Sequence, residues 1–322
     1  MKNYRTVCVA CLIVLLTLAM GADSALAAKA ISVGNGLSSS KDAGEAGADA
    51  AKQAKAALGD QKPELVLVYH SGDFNKNPDK VLEGVASVFD SKKIYGCSGY
   101  AALTQAGNEG TVAVLALGGK IKVTAAVAKT AGGDDDKVCG QKIGEALKEA
   151  AEAKGGKVML LFGDCHVPRD DTVTKGVCSV LGEKFPIVGG AAGNRGIIYV
   201  EGKQVEKSNL GLLISGDFKC GFGLKKDMTP EGLVNSAGEA FKSAIGKNKD
   251  NCALVLVFDC GGRRGALLKH KSFPKELDAM RDVAGDAPIF GFYGSGEIGR
   301  ADCESAPQGV GYHISACAII AE

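Results

Sequence analysis

Thiol, guanidinium, aromatic and carboxyl side chains are concentrated in two short motifs near the end of the chain. These residues are Cys260, Arg263, Arg264, Phe292, Tyr293 and Glu297, and Gly296 belongs to the second motif with them. An arginine on a turn is suited to bidentate binding of a carboxylate or phosphate, while a carboxylate binds a cation. The combination favours a small zwitterion or an organic acid as ligand. The alternative is that Arg263 or Arg264 pairs with Glu297 and only joins two loops.

Cysteine also permits nucleophilic catalysis. Cys165 has His166 beside it, and Cys260 lies close to Arg263 in the sequence. A neighbouring cation lowers the pKa of a thiol and so creates the reactive thiolate. Adjacent Cys and His side chains often point apart, however, and no GxSxG motif is present. A cysteine-dependent enzyme acting on a small metabolite is therefore the alternative function, and no catalytic residue is assigned.

Neither a metal nor a cofactor is predicted. Cys97, Cys165, His166 and Cys260 would suit zinc or iron if they met around a common axis, but their spacing does not require it. Buried cysteines act more often as small apolar side chains. A GxGxxG match at residues 294–299 is not followed by an apolar helix, which a dinucleotide site needs.

The elements that must position these residues recur three times. Strongly apolar segments lie at residues 65–69, 158–162 and 254–258, with starts 93 and 96 residues apart. Segments that are apolar on both faces are typical of strands buried on both sides of a sheet. A recurrence at this period indicates internal copies of one unit.

Other features repeat in step with these strands. Residues 79–89 and 171–181 share the pattern Asp-x-Val-x-x-Gly-Val-x-Ser-Val-apolar, which predicts a capped helix packed on a sheet. Glycine corners at Gly96, Gly189 and Gly291 end the next strand of each copy. A long Ala-rich helix is predicted early in each copy, over residues 41–58, 136–154 and 229–246.

The predicted fold is therefore α/β, with mixed sheets and packed helices. It consists of three copies of a strand-helix-strand-helix-strand-strand unit, over about residues 30–121, 122–218 and 219–322. The loop after the first strand of each copy is polar, and ligands of open α/β sheets bind at the carboxyl ends of strands. We therefore expect these loops to form one rim, to which Cys97 and Ser98 also contribute.

Residues 1–27 read as a secretory signal peptide. Lys2 and Arg5 precede an apolar run over residues 7–20, and small residues follow up to a cleavage position after Ala27. The expected location is periplasmic or secreted, and the alternative is a retained N-terminal anchor. No later segment is apolar enough to span a bilayer.

Composition excludes several classes of partner. The chain after the signal is formally neutral, and it has no Trp and no basic face interleaved with aromatics. Nucleic acid and anionic membrane are therefore not expected partners. Nine cysteines remain after the signal, so at least one is free or externally bonded.

The motifs resemble those of a known family. Residues 258–264, followed by 288–299, are similar to the C-terminal part of FIST (F-box and intracellular signal transduction) proteins. Residues 94–99 and 115–117 are similar to the N-terminal part. The resemblance gives a FIST N-terminal-like region over residues 28–218 and a C-terminal-like region over 219–322.

The resemblance implies a sensory module that binds amino acids or similar small molecules and signals to a partner. It implies no established catalytic residues. The positions that match the family motif are Cys260, Arg263, Gly291, Phe292, Tyr293, Gly296 and Glu297. We expect Arg263 or Arg264 to bind the anionic part of the ligand, Glu297 the cationic part and Tyr293 the apolar remainder. The export signal departs from the family's frequent cytoplasmic setting.

Overall fold

The computed structural model describes residues 30–152, 154–164, 169–193 and 196–322. The predicted signal peptide, residues 1–27, lies outside the described residues. Among the helices in the described ranges, none is both long enough and apolar enough to cross a membrane.

Three successive sets of elements share one order. The first copy comprises β1 (Ile31–Ser38), α1 (Ala43–Leu58), β2 (Pro63–His70), α2 (Pro78–Ala86), β3 (Ile94–Ser98), β4 (Ala101–Thr104), β5 (Gly107–Gly110) and β6 (Val112–Gly119). The second comprises β7 (Ile121–Lys129), α3 (Asp134–Ala151), β8 (Gly156–Gly163), α4 (Arg169–Leu181), β9 (Ile187–Ala191), β10 (Ile198–Val200), β11 (Lys203–Val205) and β12 (Ser208–Gly216). The third comprises β13 (Phe218–Lys225), α5 (Pro230–Ile245), β14 (Cys252–Cys260), α6 (Gly261–Lys269), α7 (Phe273–Ala284), β15 (Ile289–Gly294), β16 (Glu297–Gly299), β17 (Gln308–Val310) and β18 (Ile314–Ala321).

The copies are joined by an exchange of hairpins. Each copy contributes four strands to its own six-stranded sheet, and the last two come from another copy. The orders are β1-β6-β2-β3-β10-β11, β17-β16-β9-β8-β12-β7 and β13-β18-β14-β15-β4-β5. The second copy thus completes the first sheet, the third completes the second, and the first completes the third. The three copies therefore form one closed body.

This architecture confirms the predicted α/β fold with mixed sheets and three internal copies. Each sheet has one parallel pair of strands, and its other pairs are antiparallel. The parallel pairs are β2–β3, β8–β9 and β14–β15. The unit differs from the prediction in one respect. Two short strands lie between the last two predicted strands of each copy, and these form the exchanged hairpin.

Close packing of helices explains the eleven-residue pattern. A Cβ on its glycine, Gly84 in α2, would lie 2.2 Å from the carbonyl oxygen of Gly44 in α1. A Cβ on Gly176 in α4 would lie 2.3 Å from the carbonyl oxygen of Lys137 in α3. Both helix pairs therefore approach too closely for any side chain at this position. The third copy has two helices, α6 and α7, in place of α2 or α4.

Steric contact also explains why the three corners are glycines. A Cβ on Gly96, Gly189 or Gly291 would lie 1.9, 2.0 or 1.8 Å from the carbonyl oxygen of the residue facing it on the parallel strand. The same contact occurs in all three copies, so the corners occupy equivalent places. It fixes how the ends of β3, β9 and β15 approach their neighbours.

Aromatic side chains from all three copies meet where the inner faces of the sheets converge. Tyr69 stacks on Phe290 with ring centroids 4.8 Å apart, and it lies 4.6 Å from Phe292 and 5.8 Å from Phe162. Phe258 packs edge-on against Phe292 at 5.9 Å. This cluster is the centre of the largest apolar core and supports the loops above it.

Candidate functional site

Three side chains occupy equivalent places above the aromatic cluster. Ser71, Asp164 and Cys260 each come two residues after a ring of that cluster, at the carboxyl ends of β2, β8 and β14. Because side chains alternate between the faces of a strand, these three point to the same side as the rings. At these strand ends each copy therefore brings different chemistry: a hydroxyl, a carboxyl and a thiol.

Cys260 lies where β14 passes directly into α6. It is 8% exposed, and its thiol contacts the Glu297 carboxyl and the backbone N–H groups of Tyr312 and Gly262. Burial raises the pKa of this thiol to about 12, and the Glu297 charge adds to the effect. The thiol is therefore protonated at neutral pH, which opposes a role as a nucleophile.

Glu297 is fully buried beside this thiol. Its Oε2 accepts a hydrogen bond from the His313 backbone N–H at 2.9 Å, while its Oε1 has no hydrogen-bond partner among the described residues. Burial raises the pKa of this carboxyl well above its usual value. Glu297 belongs to the third copy but lies on β16, which pairs with β9 of the second sheet. It is a buried polar group with unused hydrogen-bonding capacity at a junction of copies.

Two exposed tyrosines cover the first turn of α6. Tyr100 from the first copy is 41% exposed, and Tyr312 from the third is 52% exposed. A Cβ on Gly261 would lie 2.4 Å from the Tyr100 ring, and one on Gly262 would lie 2.5 Å from the Tyr312 ring. The Tyr100 hydroxyl is 3.2 Å from the Ser295 Oγ. The glycines after Cys260 therefore make room for two aromatic rings.

Arg263 does not lie on the rim. The predicted flexible turn is the start of α6, and the helix directs this side chain into the interior, where it is 0% exposed. Its guanidinium donates to Asp259 at 2.9 Å, Glu276 at 2.8 Å, the Ser236 hydroxyl at 3.0 Å and the Leu233 carbonyl at 2.8 Å. The expectation that it binds a ligand is corrected accordingly, because its N–H groups are directed to protein acceptors. The alternative, an ion pair between Arg263 and Glu297, is also not observed, because the carboxylates that Arg263 binds are those of Asp259 and Glu276.

Three other predicted site residues are interior. Tyr293 is fully buried, and its hydroxyl donates to Glu276 at 2.8 Å. Phe292 belongs to the central aromatic cluster. Cys97 is fully buried on β3, and burial raises its thiol pKa well above the usual value. The alternation of side chains, and not the distance along the chain, removes these groups from the rim.

Ser98 and Gly296 act at the joints between copies. The Ser98 hydroxyl donates to the carbonyl of Gly193 at 2.8 Å, which links the first copy to the second. The Gly296 carbonyl accepts from the backbone N–H of Ala191 at 3.0 Å, which links the third copy to the second. Both residues therefore link neighbouring copies through these hydrogen bonds.

Arg264 is the remaining guanidinium of the motif. It is half-buried, and its guanidinium lies 5.2 Å from the centre of the Phe273 ring. Cys165 and His166 lie outside the described residues. Within the described parts of the chain, no three His, Cys, Asp or Glu side chains are grouped so that they could hold a metal ion.

The two tyrosines and Ser295 were not predicted from the sequence as site residues. Tyr100 comes four residues after Gly96, and Ser295 comes four residues after Gly291, so the two occupy equivalent positions in their copies. An aromatic residue just after a glycine-rich strand end was the available signal for Tyr100. Tyr312 follows a hairpin strand that was not predicted, so no local pattern placed it near Cys260.

Two protein-family models match this chain. The FIST N domain matches residues 64–238, and the FIST C domain matches residues 190–300. The chain belongs to the FIST family. FIST domains are generally small-ligand sensory domains of signal transduction. Both parts of this FIST protein contribute residues to the start of α6, since Tyr100 lies in the N domain match and Cys260 in the C domain match.

Two solved structures of cyanuric acid hydrolase, one of them from A. caulinodans, are among those that are similar to this chain. Each shares 10% sequence identity with this FIST protein. They cover 89% and 91% of this chain and 99% of their own, with TM-scores of 0.46 and 0.48. Likeness at this level assigns no reaction or substrate to this chain. No curated protein matches the sequence.

Proposed function

We propose that this FIST protein is an exported sensory protein that binds an amino acid or a similar small zwitterion at the rim around Cys260 and Glu297. The observation that carries the proposal is the buried Oε1 of Glu297, which has no hydrogen-bond partner among the described residues. A buried polar atom without a partner is costly unless something else supplies the hydrogen bond. A ligand would supply it.

Glu297 suits the cationic group of the ligand. An ammonium group within hydrogen-bonding distance would favour the ionised carboxylate and so lower its raised pKa. Binding of such a group would therefore favour loss of the carboxyl proton. The backbone N–H of His313 already holds one oxygen, so the other is oriented for the ligand.

The first turn of α6 suits the anionic group, which replaces the role that the sequence had given to Arg263. The helix spans nine residues, from Gly261 to Lys269, and its N-terminal N–H groups attract anions. Gly261 and Gly262 in this turn lie against the rings of Tyr100 and Tyr312, so these rings would border an anionic group bound there. Arg264 on the second turn adds positive charge nearby.

The two tyrosines would enclose the apolar part of the ligand. They come from different copies, and an aromatic ring supplies contact area at low cost in conformational entropy. A ligand between them would join the first and third copies more firmly. This is a route by which occupancy could be read by a signalling partner, which the family resemblance implies.

Thermal stability tests the proposal. A ligand that binds only the folded chain raises its melting temperature, so the full-length protein is screened against the proteinogenic amino acids and small organic acids. We expect at least one amino acid to stabilise the protein and Glu297→Gln to abolish that shift. Glu145→Gln, a matched change on the exposed face of α3, should keep it. A full shift with Glu297→Gln would exclude this rim as the site.

A further inference from the structure

Four cysteines that the proposed site does not use gather at the junction of the second and third copies. They are Cys220, Cys252, Cys303 and Cys317. All four are free thiols. Within the described residues this group does not have the arrangement of a metal site. Three of the cysteines lie on β13, β14 and β18, and the fourth lies on the loop between β16 and β17.

Cys303 lies at the surface of this group. Its Sγ donates a hydrogen bond to the carbonyl oxygen of Cys220, 3.5 Å away. Cys220 is half-buried, and its own Sγ lies 4.0 Å from the carbonyl oxygen of Lys157. Because β13 is the edge strand of its sheet, the loop that carries Cys303 reaches Cys220 directly.

Arg300 holds this loop in place. Its Nη2 donates to the carbonyl of Cys303 at 2.6 Å and its Nε to the carbonyl of Ser305 at 2.8 Å. The guanidinium stacks over the Phe222 ring at 4.9 Å, and the residue is 2% exposed. Its charge lowers the pKa of the Cys303 thiol, which opposes the larger rise caused by partial burial. The loop therefore keeps an accessible thiol next to a fixed cation.

Cys317 is the alternative disulfide partner for Cys220. It is fully buried on β18, and its thiol hydrogen-bonds to that of Cys220. This hydrogen bond, together with burial, raises the pKa of the Cys317 thiol well above its usual value. A dissolved oxidant reaches Cys303 and cannot reach Cys317, so exposure selects which thiol reacts first.

We propose that Cys303 and Cys220 are a redox-active thiol pair, which a small-molecule disulfide converts to an intramolecular disulfide. The Cys303 thiolate attacks one sulfur of the oxidant and forms a mixed disulfide, and one thiolate leaves and takes up a proton. The Cys220 thiolate then attacks the Cys303 sulfur and releases the second small thiol. The two cysteines lose two electrons and two protons, and the oxidant gains them.

The bond would tie the loop over residues 300–307 to the edge strand β13. This loop connects β16, which carries Glu297, to β17. Oxidation would thereby fix the exchanged hairpin of the third copy to its own sheet as well as to the second. The redox state of the pair would be linked to the rigidity of the hairpin on which the proposed ligand site depends.

Peptide mapping tests the pair independently of any ligand. The full-length protein is incubated with oxidised glutathione, its free thiols are alkylated, and the digest is analysed without reduction. We expect a linked peptide pair containing Cys220 and Cys303 that dithiothreitol separates. Cys303→Ser should remove the link, Cys220→Ser should trap glutathione on Cys303, and the distant Cys139→Ser should leave the link unchanged.

Three results would overturn the proposal. Linkage of Cys220 to Cys317 would show that the buried thiol is the true partner. Glutathione that stays on Cys303 of the unsubstituted protein would show that Cys220 does not resolve it. Absence of any reaction at Cys303 would show that this thiol is not accessible to a disulfide.

Discussion

The Tyr199 hydroxyl lies 2.5 Å from the Nε2 of His70, and the two residues belong to different copies. The other ring nitrogen of His70, Nδ1, lies 2.7 Å from the carbonyl of Ser71. The imidazole is fully buried, and burial lowers its pKa to about 4. A neutral histidine thus joins the exchanged strand β10 to β2.

The His70 pKa predicts a pH dependence of stability. Unfolded histidine titrates near the usual value of 6.5, so the unfolded chain binds more protons than the folded chain between about pH 4 and 6.5. The stability that the chain gains by burying a neutral His70 is present above this window. It is lost as the pH falls through the window, by up to about 1.4 kcal/mol per pH unit. Urea unfolding should show that the stability advantage of the wild type over His70→Gln shrinks as the pH falls. His270→Gln, at an exposed position, should show no such trend.

Asp170 predicts the opposite trend. It is 1% exposed, its Oδ2 has no hydrogen-bond partner in the described ranges, and burial raises its pKa to about 7. The folded chain keeps this proton between about pH 4 and 7, so the contribution is present at low pH and is lost as the pH rises. Asp170→Asn should therefore gain stability relative to the wild type over this window in urea titrations. An equal gain for the exposed Asp135→Asn would refute the assignment.

The buried guanidinium of Arg263 should be essential for folding stability. Arg263→Ala leaves the carboxyls of Asp259 and Glu276 buried without their cation, which typically costs about 3–5 kcal/mol. The free energy of unfolding from urea titration measures the loss. Arg281→Ala, which removes a surface ion pair with Asp278, should cost far less. Similar losses for both variants would contradict the structural role of Arg263.

Gly84 should not tolerate a methyl group. Gly84→Ala brings its Cβ to 2.2 Å from the Gly44 carbonyl oxygen, so α1 and α2 must separate, at a cost of about 1–3 kcal/mol. Gly265→Ala is the matched control, because it is also helical and has no atom within 4 Å of its added Cβ. That control should be stabilised by about 0.5–1 kcal/mol through helix propensity. Thermal unfolding of both variants separates packing from propensity.

Local periodicity was sufficient to predict most of the fold. The apolar run at residues 254–258 became the centre of β14, and the helix predicted over 41–58 became α1. The exchanged hairpins were missed because their strands span only three or four residues and pair with distant copies. Such short segments carry no readable alternation, and their partners are set by tertiary structure.

The candidate site was predicted only in part, for a related reason. Cys260 and Glu297 do meet, as the motif required. Arg263 turned inward because Glu276, on α7, and Asp259 provide its carboxylates, and only the i,i+4 spacing to Asp259 was visible in the sequence. The direction of a side chain at the start of a helix depends on which face packs, and that is decided by the whole structure.

Because hairpins are exchanged in a circle, no copy can form its complete sheet without another copy. Deleting one copy would remove the two outer strands from the sheet of another copy. The edge strand exposed in this way would have unpaired backbone groups, which promote aggregation with other chains. The two FIST matches even share residues 190–238. They are therefore not modules that can be separated or shuffled, and a dissected half should precipitate, whereas the intact chain should melt in a single step.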